Sequence, residues 1–406
     1  MQYNKNVLIR KGGSIITKKT FGEYVSVKNG YAFKRKNFVE KGIPIIRISD
    51  LTTNNMNLKE CAKYPYHTKV DFKKYLVSEG DILIAMSGSI GKIGIVKGLN
   101  GECFLNQRVG NLKIKDETKL NKTYLYYLIN SNFFQKEIRR LSSGGMQANI
   151  SAKKIESIEI NIPTLNIQKA HANHLMKIDA IIKNRNLSIE LLDDYTKNIF
   201  YNIFGDITNN KLGWDIKKIK DIGTVKTGNT PPRKNLENYG NYIEWIKSDN
   251  INTPNMYLTK SKESLSKIGY ELGRIAPENS VLVSCIAGSI SSLGNVAIAN
   301  RNVCFNQQIN SITPNEQINE IFLYYLINNS KEYFQSFAKQ SLKYIINKKT
   351  FEEIRIICPP IELQNKFAEL IKKTEIIKKN QMESKRELEK LFNIASEKVF
   401  NGEKIC

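Results

Sequence analysis

The hydrophobic pattern changes period along the chain. From Asn166 to Phe204 there is neither proline nor glycine, and apolar residues recur at spacings of three and four: Leu175, Ile178, Ile182, Ile189, Leu192, Ile199 and Ile203. That period predicts one long helix with a coiled-coil-like seam, about 58 Å long at ~1.5 Å per residue. Arg185 and Thr196 interrupt the seam, Pro163 precedes the helix and Gly205 closes it. Glu362 to Phe400 reads the same way, with a poorer seam of Ile371, Thr374, Gln381, Leu388, Ala395 and Val399, and Gly402 beyond its end. Two such stripes in one chain most simply pack against each other. Leu175, Ile178, Ile182, Ile189, Leu192 and Ile199 are therefore expected to be helix-pair core.

Ahead of each helix, in residues 20–163 and 214–359, the pattern is different. Short apolar runs bounded by Gly, Asn and Asp, such as "GDILIAMSGSIG" and "NSVLVSCIAGSI", predict strands, and "YLYYLINSNFFQKEI" predicts a helix. Each of these parts is expected to be an α+β (mixed α/β) globule with a strand-rich core.

The two halves repeat each other. "SGSIGKIGIV" (87–96) and "AGSISSLGNV" (287–296) share Gly88 with Gly288, Ser89 with Ser289, Ile90 with Ile290, Gly94 with Gly294 and Val96 with Val296. Ser49-Asp50 matches Ser248-Asp249, Asn106-Gln107 matches Asn306-Gln307, "YLYYLIN" (124–130) matches "FLYYLIN" (322–328), and "PTLNIQ" (163–168) matches "PPIELQ" (359–364). The offsets stay between 196 and 200, so one unit is written twice with few insertions. A globule separates the helices, so an antiparallel pair related by a pseudo-twofold axis is expected, with one globule at each end. The expected boundaries are a first globule at 1–163, a helix at 164–206, a second globule at 207–359 and a helix at 360–406.

A length of 406 residues also favours two or three domains over one core. No apolar run approaches the eighteen or so residues that span a bilayer, and "MQYNKNVLIRKGG" lacks a signal-peptide core, so a cytoplasmic protein without a membrane partner is expected. The six cysteines show no CxxC pair and no nearby His, which predicts buried or idle thiols and no metal site. Charge changes the picture more. Sixty-two Lys and Arg against 39 Asp and Glu give +23, an excess that favours a polyanion partner, although biased codon usage also produces lysine-rich chains.

Catalytic motifs are missing. "SGSIGK" resembles a P-loop only in part, since Met86 stands where its first glycine belongs and no Ser or Thr follows Lys92. No GxGxxG, GxSxG, NPPY-like or FxGxG stretch is found. His171 and His174 lie three apart on the long helix, where packing or solvation explains them better than metal ligation.

The sequence resembles the specificity subunits of type I restriction-modification systems. "TGNTPPRKNLENYGNYIEWIKSDNI" and "VKNGYAFKRKNFVEKGIPIIRISDL" are similar to the opening of that family's target recognition domains, and the Gly/Ser turn, the downstream "NQ" and "YLYYL" follow in each half. "SSGGMQANISAKKIESIEINIPTLNIQ" resembles the family's run into its helix, and "CPPIELQ" its helix-starting pattern PPLxEQ, from which the first copy departs at Asn166 and Thr164. The resemblance implies two target recognition domains, each reading half of a split duplex DNA site. It also implies helices that set the spacer and hold methylation subunits, one per unit, which methylate adenine. Restriction subunits join to cleave unmodified DNA. The chain itself would be non-catalytic and bind no cofactor, AdoMet and ATP/Mg belonging to partner subunits.

Several segments are candidate DNA contacts. Lys28, Lys34, Arg35 and Lys36 surround a glycine turn with Tyr31 and Phe33, and Lys226, Thr230, Arg233 and Lys234 form the counterpart in "KTGNTPPRKN"; these loops are suited to phosphates, and Arg35 to a guanine edge. Ser89 and Ser289 can meet a phosphate beside Gly88 and Gly288, or those glycines simply serve a hairpin. Asn106, Gln107, Asn306 and Gln307 have side chains suited to bases, but halves reading different sequences should differ where they read. Arg108 against Gln308 is therefore the better specificity pair. Gln147 in "SSGGMQAN" and Lys343 and Tyr344 in "KQSLKYIIN" are further candidates. Two other classes stay open: a specificity subunit serving a fused methyltransferase-nuclease, and a bipartite RNA-binding scaffold.

Overall fold

The computed structural model describes residues 9–11, 14–16, 19–52, 57–66, 71–143, 148–340 and 342–400. The chain divides into two compact units, Met1–Asn184 with Ser384–Cys406, and Arg185–Glu383. These limits cut both long helices, Leu165–Phe204 and Ile361–Phe400, near their middles. The boundaries expected from sequence kept helices apart from globules; the compact units do not, because each half-helix buries its apolar side on a globule.

The units share one topology. The first has an antiparallel four-stranded sheet in the order Val25–Asn29, Val109–Ile114, Ile82–Ala85, Ile93–Ile95, and the second repeats it as Gly223–Thr227, Ile309–Pro314, Val281–Ser284, Val296–Ile298. A second sheet follows in each, three-stranded in the first unit and four-stranded in the second, and each contains a parallel pair: Ile43–Ile46 beside Phe104–Leu105, and Tyr239–Ile246 beside Val303–Phe305. The central strands are buried on both faces, which explains why "ILIA" and "VLVS" read as continuous apolar runs.

The repeated aromatic segments are helices, Lys122–Asn130 and Glu320–Asn329, started by Asn121 and Asn319 whose side-chain oxygens accept first-turn N–H groups. They are the platforms on which the long helices rest. In the first unit Tyr124 meets Phe400 at 5.3 Å between ring centroids; in the second, Phe322 meets Phe204 at 4.7 Å. Within the second unit Arg185 faces Gln381, Asp193 faces Lys378 and Phe200 faces Phe367, so the two half-helices run antiparallel there.

The seam needs correction. Of the six expected core residues only Leu175 is fully buried. Ile178 and Ile199 pack against the cores while partly buried, and Ile182, Ile189 and Leu192 are half-buried. Ala172, Phe200 and Phe204 carry the burial instead, because they pack into the globule cores. The interruptions are filled by polar bonds: Arg185 Nη1 donates to Gln381 Oε1 at 2.7 Å, and buried Thr196 donates to the Asp193 carbonyl at 2.8 Å.

The hairpin loops correct the repeat itself. Gly91 N–H donates to the Ala85 carbonyl at 3.0 Å and Gly294 N–H to the Ser284 carbonyl at 2.8 Å, both glycines in the left-handed region at φ 81° and 79°. Gly91, not Gly94, is therefore the counterpart of Gly294. Gly94 opposes Leu83 as Ala297 opposes Leu282, and Val96 corresponds to Ala299. The second loop (285–294) is four residues longer than the first (86–91), so straight sequence alignment slips across it. Gly88 has φ 64°, while Gly288 is not left-handed and the shared glycine serves no common turn.

The five described cysteines are free and buried, and Cys406 lies outside the described residues. Burial pushes the thiols of Cys61 and Cys304 up to about 11. No helix of the described residues is long and apolar enough to cross a membrane.

Candidate nucleic-acid interface

In each unit, segments distant in sequence meet along one rim through backbone hydrogen bonds. In the first, Tyr31 N–H donates to the Leu105 carbonyl at 2.8 Å and Gln107 N–H to the Tyr31 carbonyl at 2.9 Å, joining the 28–36 loop to the 106–108 turn. Met86 N–H donates to the Arg108 carbonyl at 2.9 Å, adding the Gly88–Ser89 loop, and Ser87 bridges Asn149, which also bridges Ser143. The second unit repeats the set. Asn229 N–H donates to the Phe305 carbonyl at 3.0 Å, Cys285 N–H to the Gln308 carbonyl at 2.8 Å, and Ile286–Ala287 pairs with Tyr344–Ile345.

Glycine makes the first junction possible. A Cβ on Gly30 would lie 2.1 Å from the Leu105 carbonyl oxygen, and one on Gly228 2.2 Å from that of Asn306. No side chain fits in either place.

The repeated Asn closes the turn from within. Asn106 Oδ1 accepts the Arg108 N–H at 3.2 Å and Asn306 Oδ1 accepts the Gln308 N–H at 3.1 Å. Each gives one acceptor site to the backbone, so the turn by itself accounts for their recurrence. Gln107 and Gln307 are exposed, and Gln307 Oε1 accepts from the Thr230 hydroxyl.

The candidate cations differ between the units. Lys28, Lys34, Arg35, Lys36 and Arg108 are exposed, and their side chains make no ion pair or hydrogen bond with any described residue. Five unmatched positive charges beside one turn create a surface suited to phosphates. Tyr31, expected beside them as a contact, packs its ring at 5.1, 4.9 and 5.2 Å from Phe33, Phe72 and Tyr75 and anchors the loop. Phe33 is core.

In the second unit Arg233 is already engaged. Its guanidinium pairs with Glu263 at 3.0 Å and lies 5.2 Å from the ring centroids of both Tyr239 and Trp245. Lys247 lies over Trp245 at 5.0 Å and also bonds Glu263. These two cations, Lys247 foremost, hold the Glu263 carboxyl below the usual carboxylate range. Tyr239 Oη donates to the Pro231 carbonyl at 2.7 Å and Trp245 Nε1 to that of Asn229 at 3.2 Å, so the proline loop is clamped from beneath. Arg233 is thus braced while its side chain stays exposed; a salt bridge to a residue thirty positions away leaves no local signal in sequence. Trp245, one of two tryptophans, was the available clue.

Of the remaining candidates, Lys226 and Lys234 are exposed, with Lys226 Nζ 3.4 Å from the Ile275 carbonyl. Ser89 is exposed, and Ser289 bonds the hydroxyls of Ser291 and Ser292 at 3.0 and 3.1 Å. Lys343 is exposed beside Tyr344, which is half-buried in its ladder. Gln147 lies outside the described residues. Gln308 is half-buried, its Oε1 accepting from Ser248 Oγ at 3.1 Å and Asn306 Nδ2 at 3.2 Å. Among the described residues no group of three His, Cys, Asp or Glu could hold a metal. Half-buried His171 has its pKa lowered by burial and by His174.

Comparison with known proteins fits this duplicated arrangement. A sequence model of the type I restriction modification DNA specificity domain matches twice, at residues 16–191 and 211–390. The chain is 30% identical over 181 residues to the type I restriction enzyme MjaVIII specificity subunit of Methanocaldococcus jannaschii, covering 44% of this chain and 42% of that subunit. It is 31% identical over 171 residues to the HindI specificity subunit of Haemophilus influenzae, covering 40% of this chain and 36% of the relative. Each of these matches therefore spans less than half of the relative's length. A crystal structure of the type I restriction-modification system S subunit from M. genitalium shares the fold over 97% of this chain and 98% of that one, at TM-score 0.57 and 16% identity. With the specificity domain matched once in each half, over the same segments that build the repeated sheets and rims, the chain belongs to the type I restriction-modification DNA specificity family.

Proposed function

We propose that each unit reads one half of a split duplex DNA site through its rim, and that the chain directs adenine methylation and restriction without catalysing either. The long helices set the spacer between half-sites and dock two methylation subunits; restriction subunits join that assembly. AdoMet, ATP and magnesium belong to those partners.

One observation carries the reading: the two rims share a backbone and differ in side chains. Arg108 and Gln308 occupy the same place in the same Asn-closed turn, as two readers of different sequences require. The unmatched cations on the first rim suit the phosphates flanking a base-reading turn. The exposed apolar residues Met176, Leu187, Leu191 and Tyr195 on one long helix and Ile376, Ile377, Leu391 and Ile394 on the other support protein docking there.

The test is a genome-wide map of N6-methyladenine in cells making this chain with its methylation subunit, compared with cells lacking the chain. A new split motif, two short half-sites around a fixed run of unspecified bases, is expected. An active, assembled partner with no chain-dependent motif would remove the reading and bring the RNA scaffold forward.

A further inference from the structure

The backbone of the two turns is the same, but the chemistry offered at positions 108 and 308 is not. Arg108 projects from its turn exposed and without a partner among the described residues, so its full fork of N–H donors is available. Gln308 is the opposite case. Its own backbone N–H goes to Asn306 Oδ1 at 3.1 Å, which fixes that amide's orientation and turns Asn306 Nδ2 toward the Gln308 carboxamide oxygen at 3.2 Å. Ser248 Oγ donates to the same oxygen at 3.1 Å. Two donors occupy its two lone pairs, and only the N–H2 group is left to act outward. The first unit has no such brace. Asn106 and Asn306 donate their backbone N–H to the Ile46 and Ile246 carbonyls, and Asp50 and Asn250 accept the N–H of Arg47 and Lys247. The counterpart of Ser248 is therefore Ile48, which has no side-chain donor, and not Ser49 as the sequence match suggests.

Resting on the reading of the rim as a DNA interface, we propose that Arg108 reads a guanine in one half-site, and that Gln308 is a donor-only reader that cannot make the two-bond pairing a free glutamine makes with adenine. Guanine shows two acceptors, O6 and N7, in the major groove, which match a guanidinium fork. A lone N–H2 finds one acceptor on guanine, adenine or thymine and none on cytosine, whose groove edge carries only a donor. The position facing Gln308 is therefore weakly specified and excludes cytosine, while the one facing Arg108 is a fixed guanine.

The experiment is the methylation map repeated with Arg108→Ala and Gln308→Arg, each chain assembled with its methylation subunit and checked for unchanged melting. A wild-type map without a split motif counts against the underlying reading; the proposal is judged only where that motif exists. Arg108→Ala is expected to relax one guanine in one half-site and leave the other half-site intact, and Gln308→Arg to fix a guanine in the other half-site only. Unchanged motifs, or relaxation at a base other than guanine, would overturn the proposal. If Arg108→Ala abolishes methylation altogether, the wild-type complex is titrated with duplexes carrying 7-deazaguanine at each half-site guanine in turn. Loss of roughly 5- to 150-fold in affinity at one guanine supports the assignment; equal affinity at all of them refutes it.

Discussion

The side-chain oxygen of Gln168 accepts the backbone N–H of Asn121 at 2.8 Å, tying the start of a long helix to the cap of the aromatic helix beneath it. Gln168 Nε2 donates to the Lys119 and Pro163 carbonyls, both at 2.8 Å. The second unit repeats the clasp: Gln364 accepts from Asn319 N–H at 2.9 Å and donates to the Gln317 and Pro359 carbonyls at 3.2 and 2.7 Å. Both glutamines are fully buried. The Gln in "NIQ" and "ELQ" is thus the joint between helix and globule.

Gln168→Leu and Gln364→Leu should each destabilise their own unit by about 3 kcal/mol, since leucine leaves a buried N–H and two carbonyls unmatched. Urea unfolding checks this; a loss below about 1 kcal/mol would show that the surrounding groups find other partners.

Gly30→Ala should push the 28–36 loop off the 106–108 turn, because its Cβ would meet a carbonyl oxygen at 2.1 Å. The expected outcome is lost reading of one half-site with the other retained, and Gly228→Ala should give the mirror result. Methylation maps of the two variants decide it.

Glu375 provides a pH prediction. Burial raises its pKa, against the lowering effect of Lys378. A carboxyl whose folded pKa exceeds its unfolded value favours the folded state only while protonated, so its contribution worsens as pH rises from near 4.3 through the folded pKa. Glu375→Gln should therefore melt higher than wild type at neutral pH, with the difference shrinking towards about pH 4. Melting curves across that range test the sign.

Inserting four residues after Asn186 should lengthen that helix by about 6 Å, nearly two base-pair steps of ~3.4 Å. The preferred spacer should grow accordingly, read from the methylation motif; an unchanged spacer with full activity would show that the helices do not set it.

What the sequence by itself determined is what repeats in it. Offsets near 198, periods of 3.6 and the Pro and Gly punctuation each have a local physical cause, so the duplication, both long helices and the strand-rich globules were legible. The two rims were legible as segments, because glycine turns and basic runs are local too. Tertiary structure alone decided which side chains remain free. Arg233 and Arg108 look alike in sequence and both are exposed, yet Glu263, Tyr239 and Trp245 hold one and the other has no side-chain partner among the described residues. Gly94 looked like the partner of Gly294 until the strand register named Gly91. Charge, hydrogen-bond capacity and register are settled by neighbours distant in the chain, and no local pattern records which neighbours those are.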